Sequence, residues 1–135
     1  MQRMTKSLAA IAGLILWSHL AVSGQEPAPS TLQTAKKVMI LMSTEFASRG
    51  ALERELLKRP EFKQWGMIIT DNREEAELIL QVDRKVFTTK FFLRIIDARN
   101  THVLAADRAN SIGGTIEPKL ADRFIKQVKA VRPIP

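Results

Sequence analysis

The chain has 135 residues, with 21 Lys and Arg against 14 Asp and Glu, and no cysteine. Without cysteine it can hold no disulfide, no thiol nucleophile, no thiolate-bound metal and no lipid-modified cysteine of the bacterial lipoprotein kind. The net charge of +7 favours anionic partners. Both signs are interspersed, however, and no Lys/Arg run is long enough to mark a nucleic-acid patch, so no nucleic acid is expected among them.

The chain opens on a basic stretch carrying Arg3 and Lys6 and no acid. "LAAIAGLILW", Leu8 to Trp17, then forms an apolar core of ten residues, and the small residues of "SHLAVSG" follow. This is the form of a secretory signal peptide cleaved after Ser23 or Gly24, so residues 1–24 are expected to be a leader. The core falls short of the roughly 20 residues a membrane-spanning helix needs, which disfavours an uncleaved anchor and leaves no transmembrane segment after cleavage. A periplasmic or secreted destination follows. Residues 25–35 are polar, with Pro27 and Pro29, and read as a flexible linker. Residues 36–135 are then one domain with one core.

"KVMILM", Lys37 to Met42, is a continuous apolar run of the kind that forms a central strand. An amphipathic helix follows, with Leu52, Leu56 and Leu57 on one stripe and Glu53, Arg54, Glu55 and Lys58 on the other side. Gly50 blurs its start, and Pro60 stops it after Arg59. "MIIT" is a second strand, and the Asp71/Glu74 spacing predicts a capped turn behind it. In "ELILQVDRKVF", Leu78, Leu80 and Val82 share one face of a strand. "KFFLRIID" alternates in the same way, "HVLAADRANSI" does so more weakly, and the polar gaps "TTK" and "ARNT" predict two hairpins. The last segment, "TIEPKLADRFIKQVKAV", places Ile116, Leu120, Phe124, Val128 and Val131 at helical spacing. Pro118 sits harmlessly in its first turn and Glu117 complements the helix dipole. The order predicts an α/β (α+β) two-layer sandwich: a mixed, largely antiparallel sheet of about five strands with two main helices on one face.

The chemically suggestive stretch is "LRIIDARNTHVLAADR". With the turn centred on Arg99 and Asn100, Asp97 and Asp107 do not face each other, and strand alternation gives no reason for them to converge as an acid and a base must. Asp97 reads instead as an acceptor for the backbone N–H groups of the turn. His102 is alone once His19 leaves with the leader, and no paired spacing such as H-E-x-x-H accompanies it, so a surface histidine at a strand end is expected. "SIGGT" lacks the spacing of a P-loop or a dinucleotide fingerprint. Ser43, Ser48 and Ser111 lack a nucleophile-elbow context. No catalytic residue, metal site or cofactor is therefore expected; a hydrolase using Asp97, Asp107 or His102 would require these side chains to meet in one pocket. The most concentrated charge lies on one face of the last helix, at Lys119, Arg123, Lys126 and Lys129, interrupted only by Asp122. Such a face is either a solvated surface or a salt-sensitive contact for anions.

"AELILQV", "RIIDARNTHVLAADR" and the terminal amphipathic helix together resemble the small envelope domains of the TolB amino-terminal, curli-secretion-lipoprotein and penicillin-binding-protein-activator type. Glu77 stands where those domains carry Asp, and Asn100 and Thr101 stand in their Thr-Gly positions. The missing turn glycine leaves Asn100 as the candidate for a positive φ. The resemblance covers most of residues 37–131. It implies a non-catalytic domain that docks onto other envelope proteins or onto copies of itself, and it transfers no binding residues. The expected function is thus that of an exported, non-enzymatic envelope domain working by protein–protein contact, through the edge of the strand over residues 101–112 and the neighbouring basic helix face. The alternative is an anion-binding module that recognises an envelope polymer or lipid headgroup through Lys119, Arg123, Lys126 and Lys129. High salt separates them, since it releases a purely electrostatic ligand and only weakens a packed protein contact.

Overall fold

The computed structural model describes residues 30–134. The expected leader and the first part of the expected linker lie outside the described residues. The later part of that linker, read as a tether, is ordered. It forms the short helix α1 (Thr31–Thr34), whose Leu32 joins the hydrophobic core together with Ala35. A tether needs no apolar anchor, and Leu32 supplies one. The Ser30 N–H donates to Gln33 Oε1 at 2.8 Å, and the Arg132 guanidinium clamps the exit of the helix by donating to Ala35 O at 2.6 Å and Trp65 O at 2.9 Å.

The remaining elements are β1 (Lys37–Met42), α2 (Arg49–Lys58), α3 (Pro60–Gln64), β2 (Ile68–Ile69), β3 (Leu78–Arg84), β4 (Lys90–Asp97), β5 (Val103–Asn110) and α4 (Glu117–Val131). The five strands lie in the order β2-β1-β3-β4-β5. β1 pairs parallel with both β2 and β3, whereas β3 with β4 and β4 with β5 are antiparallel. The sheet is thus mixed, with its two longest ladders antiparallel, as expected, and its parallel part is built on β1. The reason is the α2–α3 crossover, which returns the chain alongside β1 in the same direction, as a helical connection does and a tight turn cannot.

α2 and α4 cover one face of the sheet, the expected two-layer sandwich. Val38 and Ile40, Leu78, Leu80 and Val82, and Phe91, Leu93 and Ile95 alternate into the core from three neighbouring strands. They meet Leu52 and Leu56 of α2, Phe62 of α3, and Leu120, Phe124 and Val128 of α4. The Phe62 and Phe124 rings lie 6.4 Å apart and tilted, a favourable aromatic geometry. The ends of the expected stripes fall outside: Leu57 and Val131 are exposed. On the other face, register aligns Met39, Ile79, Ile96 and Val103 in one row across four strands.

Caps and turns fix the ends. Ser48 Oγ accepts from the Ala51 N–H, starting α2 ahead of Gly50. Pro60 opens α3. Gly66, at φ 68°, ends it while the Met67 N–H reaches back to Phe62 O at 3.1 Å, a Schellman-type closure. The turn expected at Asp71 is capped one residue later, where Asn72 Oδ1 accepts from the Glu74 N–H at 3.0 Å; Asp71 is engaged by Arg49. In the β4–β5 turn the positive φ belongs to Thr101, at 61°, and not to Asn100, whose Oδ1 accepts from the His102 N–H. Thr101 thus adopts a left-handed conformation that glycine takes without strain. A β-branched residue is strained there, so Thr101→Gly is expected to raise the unfolding free energy by about 1 kcal/mol despite the added chain entropy of glycine. Thermal denaturation of the two proteins checks this, and an unchanged or lowered Tm would show that the turn carries no relievable strain.

Candidate functional site

α4 brings Lys119, Arg123 and Lys126 to one face because positions four and three residues apart repeat on a helix. α4 packs beside the end of β5, and the three side chains line a groove of about 440 Å³ with Ala109, Asn110 and Asp122. An adjoining hollow of about 340 Å³ is lined by Lys90, Arg108, Ala109, Asn110 and Arg123. The two share Ala109, Asn110 and Arg123 and form one cationic trough along the end of the sheet edge. Lys119 is held in place, its Nζ donating to Asn110 O at 2.9 Å.

Lys129, grouped with the other three from helical spacing, stands elsewhere. It lines a groove against α3 with Arg59, Pro60 and Glu61, which Asp122 and Lys126 border from the other side, because it stands further round α4 toward α3. Conversely, Lys90 and Arg108 belong to the trough and were not identified from the sequence. The hairpin register brings Lys90 opposite Asn110, and the one signal that could have found them is the alternation of "KFFLRIID" extended into a pairing with "HVLAADRAN".

Two carboxylates border the trough and both are engaged. Asp122 meets Arg59 Nη1 at 3.0 Å. Asp107 accepts from Gln127 Nε2 at 2.9 Å and from the Arg108 N–H at 2.8 Å. Burial against α4 raises the Asp107 pKa, but the Gln127 amide, the Arg108 N–H and the charges of Arg123 and Lys126 outweigh it and hold the carboxyl below its ordinary value.

The structure separates Asp97, Asp107 and His102. Asp107 lies opposite Leu93, and Asp97 is four residues further along β4, about 13 Å at the usual strand rise. Asp97 is buried at the far end of the sheet, where it accepts from the Arg99 N–H at 2.8 Å and from the Thr31 hydroxyl. The Thr31 hydroxyl, with help from the Arg99 and Asn100 N–H groups and the Arg99 charge, holds its pKa below the ordinary value against the opposing effect of burial. His102 is exposed. Glu77 accepts from the N–H groups of Lys36 and Lys37 at 3.2 and 3.3 Å, so its role in this fold is to fix the start of β1. Ser48 caps α2, and the Ser111 hydroxyl donates to Gly114 O. Among the described residues no three of His, Cys, Asp and Glu gather as a metal ion would require, and no helix is long and apolar enough to cross a membrane.

The second part of the site is the sheet edge. β5 pairs with β4 on one side only. Val103 lies opposite Ile96 and Ala105 opposite Ile95, leaving Leu104 unmatched in a β-bulge. Beyond it, Ala105 to Asn110 runs in regular register with its outer backbone groups beside the trough.

No family model and no curated protein matches the chain. Similar solved structures include a PelC dodecamer from Paraburkholderia phytofirmans, at 14% identity and a TM-score of 0.37, covering 78% of this chain and 93% of that one. They also include an uncharacterized lipoprotein B from Nitrosomonas europaea, at 15% identity and a TM-score of 0.39, covering 79% of this chain and 84% of that one.

Proposed function

We propose that the chain is an exported, non-enzymatic domain of the cell envelope that docks onto an extended, acidic segment of another envelope protein along β5. The observation that supports this is the juxtaposition of the regular outer edge, Ala105 to Asn110, with a trough lined by Lys90, Arg108, Lys119, Arg123 and Lys126. An added strand satisfies its backbone on an exposed edge and takes its specificity from the side chains around it. Here those side chains are cations, so carboxylates on the incoming segment match the trough. The leader-like amino terminus supports the export part of the proposal.

A photo-crosslinking residue placed at Ala106, exposed in the middle of β5, tests the docking. It is expected to trap one envelope protein, at a segment rich in Asp and Glu, in living cells of the host. The yield should fall about tenfold in the Arg123→Glu, Lys126→Glu double variant, and in envelope extracts brought to high salt before irradiation the protein crosslink should weaken yet persist, whereas anionic polymer would be released. A crosslink indifferent to the double variant, or one to polymer alone, would overturn the docking mode.

A further inference from the structure

A second surface lies at one end of the sheet; it borders the trough at Lys90 and Lys119 but does not rest on the docking proposed for β5. β1 and β3 run parallel, and β4 and β5 fold back on β3 as hairpins, so three connections leave the sheet at the same end: residues 43–48, 85–89 and 111–116. Backbone bonds hold them level, from Ser43 N to Val82 O at 2.9 Å, Lys85 N to Lys90 O at 3.0 Å and Ser111 N to Thr89 O at 3.0 Å. Their apices are apolar. Phe87 is 97% exposed, Ile112 73%, Val86 70% and Phe46 68%, the four most exposed large hydrophobic side chains among the described residues. Scattered exposed hydrophobics are ordinary, whereas a group gathered at one end of a fold marks a contact surface.

The group is also held in place. The Arg84 guanidinium lies 3.8 Å over the Phe46 ring, and Val86 borders the same hollow. Phe87 has φ 61°, a conformation that glycine or asparagine would take at less cost, so strain is retained with an aromatic side chain in water. Cations ring the apices: Arg84, Lys85, Lys90, Arg108 and Lys119 all stand on or beside the three connections. Glu45 is the one carboxylate within them, and nearby Asp83 pairs with Arg94 at 3.5 Å.

We propose that this end of the domain inserts Phe46, Val86, Phe87 and Ile112 into the surface of a bilayer containing anionic lipids, with Lys85, Lys90 and Lys119 meeting the lipid phosphates. The charge pattern and the shape select this occupant. Interfacial binding places apolar groups about 5–10 Å into the headgroup boundary with basic side chains at the phosphate level, and apolar apices on level loops within a cationic ring reproduce that profile. A second copy of the chain would bring the same ring of positive charge against itself. A globular partner would need a separate recess for each of three loop tips.

The absence of native cysteine permits a local test in the full chain. Val86→Cys is labelled with one environment-sensitive fluorophore, and Asn100→Cys, in the turn at the opposite end of the sheet, serves as the control. With mixed phosphatidylcholine–phosphatidylglycerol vesicles the label at 86 is expected to shift to the blue and that at 100 to stay aqueous. Pure phosphatidylcholine is expected to give little shift. Phe46→Ser and Phe87→Ser, both at exposed positions, are expected to leave the circular dichroism spectrum unchanged and each to raise the vesicle concentration at half-shift about tenfold. A chain that sediments with vesicles while the label at 86 remains aqueous is held by some other segment and overturns the proposal. So does a shift that appears without vesicles and grows with protein concentration, which would assign the patch to a second copy. Neither result bears on the Ala106 crosslink, and loss of that crosslink leaves this proposal standing.

Discussion

Phe124→Ala is expected to lower the unfolding free energy by about 3–5 kcal/mol, the range for removing a large aromatic side chain from a close-packed core. Phe124 is fully buried and packs against the Phe62 ring, so truncation removes both the transferred surface and the aromatic pair that joins α4 to α3. Collapse relieves little of the loss, because α4 packs on β4 and β5 and β4 is held by a neighbouring strand on each side. A domain of this size is stable by only about 5–15 kcal/mol, so the variant should sit near the edge of folding. Urea denaturation checks this through a lowered midpoint at unchanged slope. Val131→Ala, at an exposed position of the same helix stripe, should change stability by less than about 0.5 kcal/mol. A comparable loss at both positions would mean that helix propensity, and not packing, governs α4.

The second large effect is expected at Asp97. Its carboxylate joins three parts of the chain, accepting from Thr31 at the start of α1 and from the Arg99 N–H in the β4–β5 turn while standing at the end of β4. Asp97→Ala leaves both donors without their acceptor in a place water reaches poorly, with a loss of about 3 kcal/mol. The lowered pKa adds a pH signature. A carboxylate whose folded pKa lies below its unfolded value of about 3.9 contributes stability that is fully present above that value and is lost as pH falls through the folded pKa. Wild-type stability should therefore drop steeply between pH 4 and the lower folded value of Asp97, measured by denaturant midpoints across about pH 2–6. Asp97→Asn keeps the shape and removes the titration, so its profile should be flatter there. An equally steep fall in Asp97→Asn would assign the acid sensitivity to Asp107, the other carboxylate held below its ordinary value.

What was legible in the sequence was local. Alternation in "ELILQV" and "KFFLRII" placed Leu78, Leu80, Val82, Leu93 and Ile95 on one buried face, and the repeat from Ile116 to Val128 placed the buried side of α4. The role of Asp97 as a turn acceptor was readable too, since an aspartate followed by Arg-Asn-Thr between two strands has its backbone donors within two residues. Its second partner was not, because Thr31 is 66 residues away.

The candidate surface was half legible for the same reason. Lys119, Arg123 and Lys126 share a helix face whatever surrounds the helix, but Lys129 shares that spacing and not that groove. Which part of a helix face borders a trough depends on how the helix is turned between the sheet edge and α3, and that is a property of packing. Lys90 and Arg108 join the site through strand register, and the four exposed apolar apices gather only because β1 and β3 run parallel while β4 and β5 return as hairpins. Side-chain periodicity and turn chemistry act over a few residues, so the amino-acid sequence by itself determined the elements, their buried faces and the basic stripe of α4. Strand order and direction are settled by contacts between distant segments, and those contacts alone decided which charges share a trough and which hydrophobic side chains meet at one end.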